Sequence, residues 1–144
     1  MISLKEITID NLGDVIALQV ADSQTDLVFS NAISIAQSKV QPECIPLAIY
    51  KDDTPVGFLM YCIDRDDGEY WLYRLMIDHR FQGKGYARQA MQLLIHTIKQ
   101  DRSRRKMLLG VDKSGDAAIA LYESLGFVFT GQTFGKERIM QLTY

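Results

Sequence analysis

Residues 82–87 of this chain read Gln-Gly-Lys-Gly-Tyr-Ala, with two glycines and a lysine set between an apolar run and an amphipathic stretch. Glycines at a helix start let backbone N–H groups approach an anion without Cβ atoms in the way. The uncapped N–H groups and the positive end of the helix dipole favour phosphate there. Lys84 and Arg88 add positive charge close by. Two familiar phosphate loops are excluded. A dinucleotide fingerprint counted from Gly83 needs glycine where Arg88 stands, and it belongs to the first unit of a parallel sheet. An ATP-binding loop needs Gly-Lys-Ser/Thr at a spacing that does not occur. The six residues alone leave open a plain turn and a seat for some other diphosphate.

Other reactive side chains are few. His79 falls at a surface-prone point before the loop and His96 lies off the apolar stripe of the following helix, so both read as solvated. Cys44 and Cys62 have no metal-ligand neighbours at useful spacing, no metal site is expected, and Cys62 reads as a buried thiol. Arg102, Arg104, Arg105 and Lys106 cluster where a helix should end; they read as solvated cations favoured by its dipole, with contact to a phosphorylated ligand as the alternative.

The elements that must hold these groups follow from pattern. "ISLKEITI", residues 2–9, suits a strand, and Asp10 or Asn11 can cap a helix with Leu12, Val15, Ile16 and Val20 on one face. A second helix is expected over 30–39, with Ile33, Ile35 and Ala36 inward. Two strands flank the turn at 52–55, and "RDDG" turns into a third strand over 69–78. After the loop, Ala87, Ala90, Met91, Leu94, Ile95 and Ile98 form one apolar helical stripe. "KMLLGV" is a short strand, "DAAIALYESLGF" a helix stopped at Gly126, and two last strands join through a turn near residues 131–135. The order β-α-α-β-β-β-α-β-α-β-β describes a mixed α/β domain with an antiparallel middle.

With 144 residues, 47% hydrophobic and 24% charged, the chain reads as one globular domain over 1–144 that needs no staples. A net charge of −2 gives no support to nucleic-acid binding. No apolar segment approaches membrane-spanning length and no signal peptide is evident, so a cytoplasmic protein without a membrane partner is expected.

The loop "QGKGYA" resembles the Gln/Arg-x-x-Gly-x-Gly/Ala loop of the GNAT superfamily of N-acetyltransferases, and "AAIALYESLGF" resembles its second signature. Both sit on matching elements. "YWLYRLMIDHRFQGKGYA" and the terminal "GFVFTGQTFGKERIMQL" are most similar to bacterial spermine/spermidine acetyltransferases. The resemblance implies a GNAT fold: a mostly antiparallel sheet of six to seven strands flanked by about four helices. It implies direct transfer of acetyl from acetyl-CoA to a primary amine, a polyamine such as spermidine or spermine, with no metal, and a homodimer. Carried over by position, the backbone of Gln82, Gly83, Lys84, Gly85, Tyr86 and Ala87 would bind the CoA diphosphate. Main-chain groups of Met76, Ile77 and Asp78 would hold the pantetheine and the thioester carbonyl, where fixed N–H groups stabilise the developing oxyanion. Tyr122 would protonate the departing thiolate.

Two positions depart from the family pattern. Tyr73 stands where some polyamine acetyltransferases carry a carboxylate, so the base could be Glu69, Asp78, a water chain or no dedicated group. Gly115 replaces an asparagine that contacts CoA. Asp22, Asp26, Glu43 and Glu69 are candidates for holding a cationic acceptor. The alternatives are another amine acceptor (an aminoglycoside, an amino acid or a protein N-terminus) and a non-catalytic acetyl-CoA sensor.

Overall fold

A computed structural model of the chain describes residues 1–21 and 29–144. Seven strands form one sheet in the order β1-β2-β3-β4-β5-β7-β6. They are β1 (Ile2–Glu6), β2 (Cys44–Lys51), β3 (Thr54–Ile63), β4 (Tyr70–Ile77), β5 (Lys106–Asp112), β6 (Val128–Phe134) and β7 (Glu137–Thr143). Four helices, α1 (Leu12–Ala17), α2 (Asn31–Val40), α3 (Tyr86–Ile98) and α4 (Asp116–Ser124), fall in the order that the sequence pattern gives, with a 3-10 turn over His79–Phe81 between β4 and α3. Every strand pair is antiparallel except β4 with β5.

Two apolar layers cover the sheet. On one side Ala90, Met91, Leu94 and Ile98 of α3 join Leu59, Leu72, Met107, Leu109 and Met140. On the other, Val15 and Leu18 meet Ala48, Phe58, Met60 and Met76. The helices of this second side differ from the pattern. α1 ends at Ala17, and Val15 and Leu18 are buried while Ile16 is exposed. Asn11 closes the turn before α1 instead of capping it: its Oδ1 accepts from Thr8 N–H at 2.8 Å and its Nδ2 donates to Glu6 O at 3.0 Å. In α2 the buried residues are Asn31 and Ser34, and Ile33 faces out. Asn31 Nδ2 donates to Val15 O at 2.9 Å, which ties α2 to α1 through a polar contact that hydrophobic periodicity does not register. The last hairpin also differs: β6 runs through Gly131 (φ 88°) to Phe134, so this glycine marks a bulge and the turn itself is at Gly135.

The parallel contact is short. β4 pairs β5 only over Tyr70–Leu72 against Met107–Leu109. Beyond it β5 stays with β7 and β4 stays with β3, so the sheet opens between Tyr73–Ile77 and Gly110–Asp112. The opening begins at a register shift on β4: Leu72 faces Tyr61 and Arg74 faces Met60, leaving Tyr73 as the extra residue of a bulge.

The outer half of β4 is held to β3 by a close approach. A Cβ added at Gly57 would lie 2.4 Å from Met76 O and 2.7 Å from Ile77 Cδ1. Gly57→Ala is therefore expected to destabilise the fold by about 2–3 kcal/mol, as overpacking against backbone does. A urea midpoint equal to that of the parent would contradict this.

Candidate active site

The loop after β4 is anchored at its start. Asp78 is 1% exposed and ends the strand. Its Oδ2 accepts from Gln19 N–H at 2.9 Å, and its Oδ1 accepts from Arg80 N–H and Nε at 3.0 and 2.8 Å. His79 N–H donates to Gln19 O at 2.8 Å, so the end of α1 and the start of the loop are locked together. Burial alone pushes this carboxyl up, but the Arg80 guanidinium and the two N–H groups outweigh it and hold it below its ordinary value. Gln82 Nε2 then donates to Ile77 O at 2.9 Å, folding the loop back on the strand.

Gly83 and Gly85 both have left-handed φ, 78° and 80°, on either side of Lys84. A side chain at Gly83 would meet nothing within 4 Å, so this glycine serves the backbone turn and the space above it is open. Gly85 caps α3 without a side-chain hydrogen bond, which leaves the first N–H groups of the helix to an external acceptor. Left-handed turns of this kind make an anion-binding concavity, and the residues present fit a diphosphate. Arg88 bonds Ser124 Oγ, linking the start of α3 to the end of α4. The basic cluster lies at the other end of α3, about 20 Å away by helix rise. There Arg104 pairs with Asp101 at 2.9 Å and donates to Gly68 O, and Lys106 lies 3.9 Å from Glu69.

The gap between β4 and β5 is where a strand's peptide groups go unpaired. Asp78 N–H is already given to Val56 O, so alternation turns the peptide groups of Ile77 and Leu75 away from β3 and towards the gap. The Met76 carbonyl lies on the β3 side against Gly57. Of the three residues expected to contact a ligand through main chain, Ile77 presents its peptide to the gap, and its neighbour Leu75 does so too.

Tyr122 is 8% exposed on α4, with its ring edge on Phe127 at 5.7 Å. Its hydroxyl has no hydrogen-bond partner among the described residues. Burial pushes the phenol well above its ordinary value and the negative charge of Glu137 adds to this, so it stays protonated at neutral pH. Gly115 caps α4 with no side-chain bond.

On the opposite side of the sheet a cleft of about 740 Å³ spans the gap, from Gln37 and Trp71 to Thr133 and Phe134. Asp64, Asp66, Asp67 and Glu137 line it, with Arg74 as the one lining cation among the described residues. Arg74 Nη1 and Nη2 donate to Tyr73 O and Gln37 Oε1, and its guanidinium faces the Phe29 ring at 4.5 Å. Tyr73 OH donates to Asp64 Oδ2 at 2.8 Å. The turn before β4 thus supplies a carboxylate, through Tyr73, to the position where the sequence lacks one. Burial, with the bonds to Cys62 and Asp64, holds the Tyr73 phenol above its usual range. Burial also pushes the neighbouring Cys62 thiol up to about 12, so it is unreactive.

The acidic residues expected from sequence lie elsewhere. Glu43 pairs with Arg65 at 3.3 Å, and Glu69 precedes β4 at the end away from the loop. Asp22 and Asp26 lie outside the described residues. His79 and His96 are exposed. Glu137 carried no local signal, because only the strand order brings β7 beside β5. No group of three or more His, Cys, Asp or Glu among the described residues could hold a metal ion, and no described helix is long and apolar enough to cross a membrane.

The Acetyltransferase (GNAT) family matches residues 16–127, and the chain belongs to it. Over 146 residues it is 30% identical to the spermine/spermidine N(1)-acetyltransferase of Bacillus subtilis (strain 168), with 96% of each chain covered. Among solved structures it is similar to PaiA N-acetyltransferase from Thermoplasma acidophilum in complex with coenzyme A (TM-score 0.74, 18% identity, 100% and 99% coverage). It is also similar to the aminoglycoside acetyltransferase AAC(6')-Ib in complex with coenzyme A (TM-score 0.81, 16% identity, 99% and 95% coverage). Identities this low speak for the fold alone. The protein is an acetyl-CoA-dependent N-acetyltransferase, with acetyl-CoA as cosubstrate.

The depressed Asp78 has a pH signature. Its folded pKa is below the unfolded value, so its contribution to stability is full above roughly pH 4 and is lost as pH falls through the folded value. Chemical denaturation from pH 7 to 3 should show a steeper acid loss in the parent than in Asp78→Asn. Equal slopes would contradict the anchor role.

Proposed function

We propose that the acceptor is a polyamine such as spermidine or spermine, and that its cationic chain lies in the cleft on the α2 side of the β4–β5 gap. The observation that carries this reading is the charge of that cleft: four carboxylates against one guanidinium, and that guanidinium is already engaged by Tyr73 O and Gln37. A neutral or anionic acceptor has no use for such an excess. The polyamine activity named for the Bacillus relative agrees with it.

In this reading the backbone of residues 82–87 seats the CoA diphosphate, and the main chain around Met76, Ile77 and Asp78 holds the pantetheine arm. Peptide N–H groups turned to the gap are fixed before the reaction, so they stabilise an oxyanion without reorganising. Acetyl-CoA supplies the activated acyl group. Tyr122 gives its proton to the sulfur as the thiolate departs. Its raised pKa makes it a weaker acid in water, but the same dry surroundings make an unprotonated thiolate equally costly.

Release of CoA thiol with a panel of amines tests the acceptor. Turnover is expected with spermidine and spermine, and none with any polyamine or diamine, beside activity on another amine, would remove the polyamine reading. Tyr122→Phe should lower kcat about 100-fold with little change in KM for acetyl-CoA. Full kcat across the pH range would overturn the acid role.

A further inference from the structure

The four carboxylates of the cleft are not equivalent. Asp64 accepts from Tyr73 OH with one oxygen and from Asp66 N–H with the other. Asp67 accepts from Trp71 Nε1 at 2.8 Å and from Glu69 N–H at 2.9 Å. Asp66 lies in the β3–β4 turn and is exposed, as is Glu137. The side chain of Glu137, the first residue of β7, has no hydrogen bond or ion pair among the described residues.

Its placement is specific. A Cβ added at Gly110 would lie 2.8 Å from Glu137 Oε1 and 3.0 Å from its Cδ, so the carboxylate lies across that glycine. Gly110 is the first residue of β5 beyond its pairing with β4, which ends at Leu109. The carboxylate therefore stands at the head of the gap. Its charge is felt on both sides: it opposes the burial that lowers Arg74 in the cleft, and it adds to the burial that raises Tyr122 on α4.

We propose that Glu137 is the catalytic residue that takes the proton from the acceptor nitrogen during acetyl transfer. This rests on reading the cleft as the acceptor site. The acceptor reacts as its neutral amine, the ammonium proton having gone to water. When nitrogen bonds to the thioester carbon it becomes cationic, and Glu137 takes its proton. A nitrogen newly bonded to that carbon is far more acidic than a free ammonium of pKa about 10, so a carboxylate suffices as base. As the C–S bond breaks and its electron pair passes to sulfur, Tyr122 gives sulfur a proton. The proton on Glu137 returns to the Tyr122 oxygen through water, and both groups are restored. Neutral amine and thioester become amide and thiol. Around Glu137 the charges are Arg74 on β4, Asp112 opposite it on β5 with Lys136 nearby, and Asp64 and Asp66 across the cleft.

Three variants test this. Glu137→Gln should lower kcat about 100-fold and leave KM for the amine little changed. Gly110→Ala puts a methyl group where the carboxylate lies and should give a smaller loss. The double variant should be no slower than Glu137→Gln alone, since both act through one group. Calorimetric affinity for CoA should be unchanged in all three, which also shows that they are folded. Hydrolysis of acetyl-CoA without amine, with water as the acceptor, should fall in Glu137→Gln as well. That arm reads Glu137 whichever amine is used, so a polyamine panel that fails overturns the acceptor reading and leaves this one testable. Retained kcat and retained hydrolysis, a rise in KM alone, lost CoA affinity, or additive losses in the double variant would overturn the proposal.

Discussion

Three pairs of residues join β4 to β5, and there the parallel contact stops. The candidate site depends on that interruption. A continuous ladder would consume the peptide groups of Leu75 and Ile77, fill the space over Gly110 and cut the loop side of the sheet off from the cleft side. The interruption has a local cause in the bulge at Tyr73, which leaves one residue of β4 without a partner on β3. It also has a global one, because β5 keeps its full pairing with β7 and so leaves with that half of the sheet.

An open gap costs unpaired backbone, and the chain limits the loss by bracing the rim. Gly57 lets β3 press against Met76 and Ile77, Asp78 locks the strand end to α1, and Gln82 takes the Ile77 carbonyl. The same contacts fix the loop whose two left-handed glycines open α3 to an anion. Arg88 carries that positioning to α4 and its tyrosine through Ser124. Rigidity here serves chemistry, since donors that are already placed need no rearrangement when charge develops.

The cleft side shows how charge can be assembled from distant segments. Asp64, Asp66 and Asp67 come from a turn that reads as ordinary surface, and Glu137 comes from the start of the last strand. Two of these carboxylates are absorbed in holding Tyr73 and Trp71, while Glu137 is left open. The position where the sequence lacks a carboxylate is thus flanked by two, one reached through a phenol and one across the gap.

By itself the sequence determined the order of elements, the glycine loop and the tyrosine helix, because each depends on local spacing: apolar residues at helical intervals, turn residues between strands, glycines where φ is positive. It misread the inward faces of α1 and α2, where Asn31 and Ser34 are buried and Ile16 and Ile33 are not, because a buried polar contact leaves no hydrophobic period. It drew the last turn over 131–135, where the structure has a bulge at Gly131 and the turn at Gly135, because a bulge and a turn call for the same residue. Only the tertiary structure decided which carboxylates face the cleft, since strand order sets β7 beside β5. Two glycines that looked idle, Gly57 and Gly110, owe their identity to neighbours far along the chain, Met76 and Glu137, and no local pattern can announce a contact of that kind.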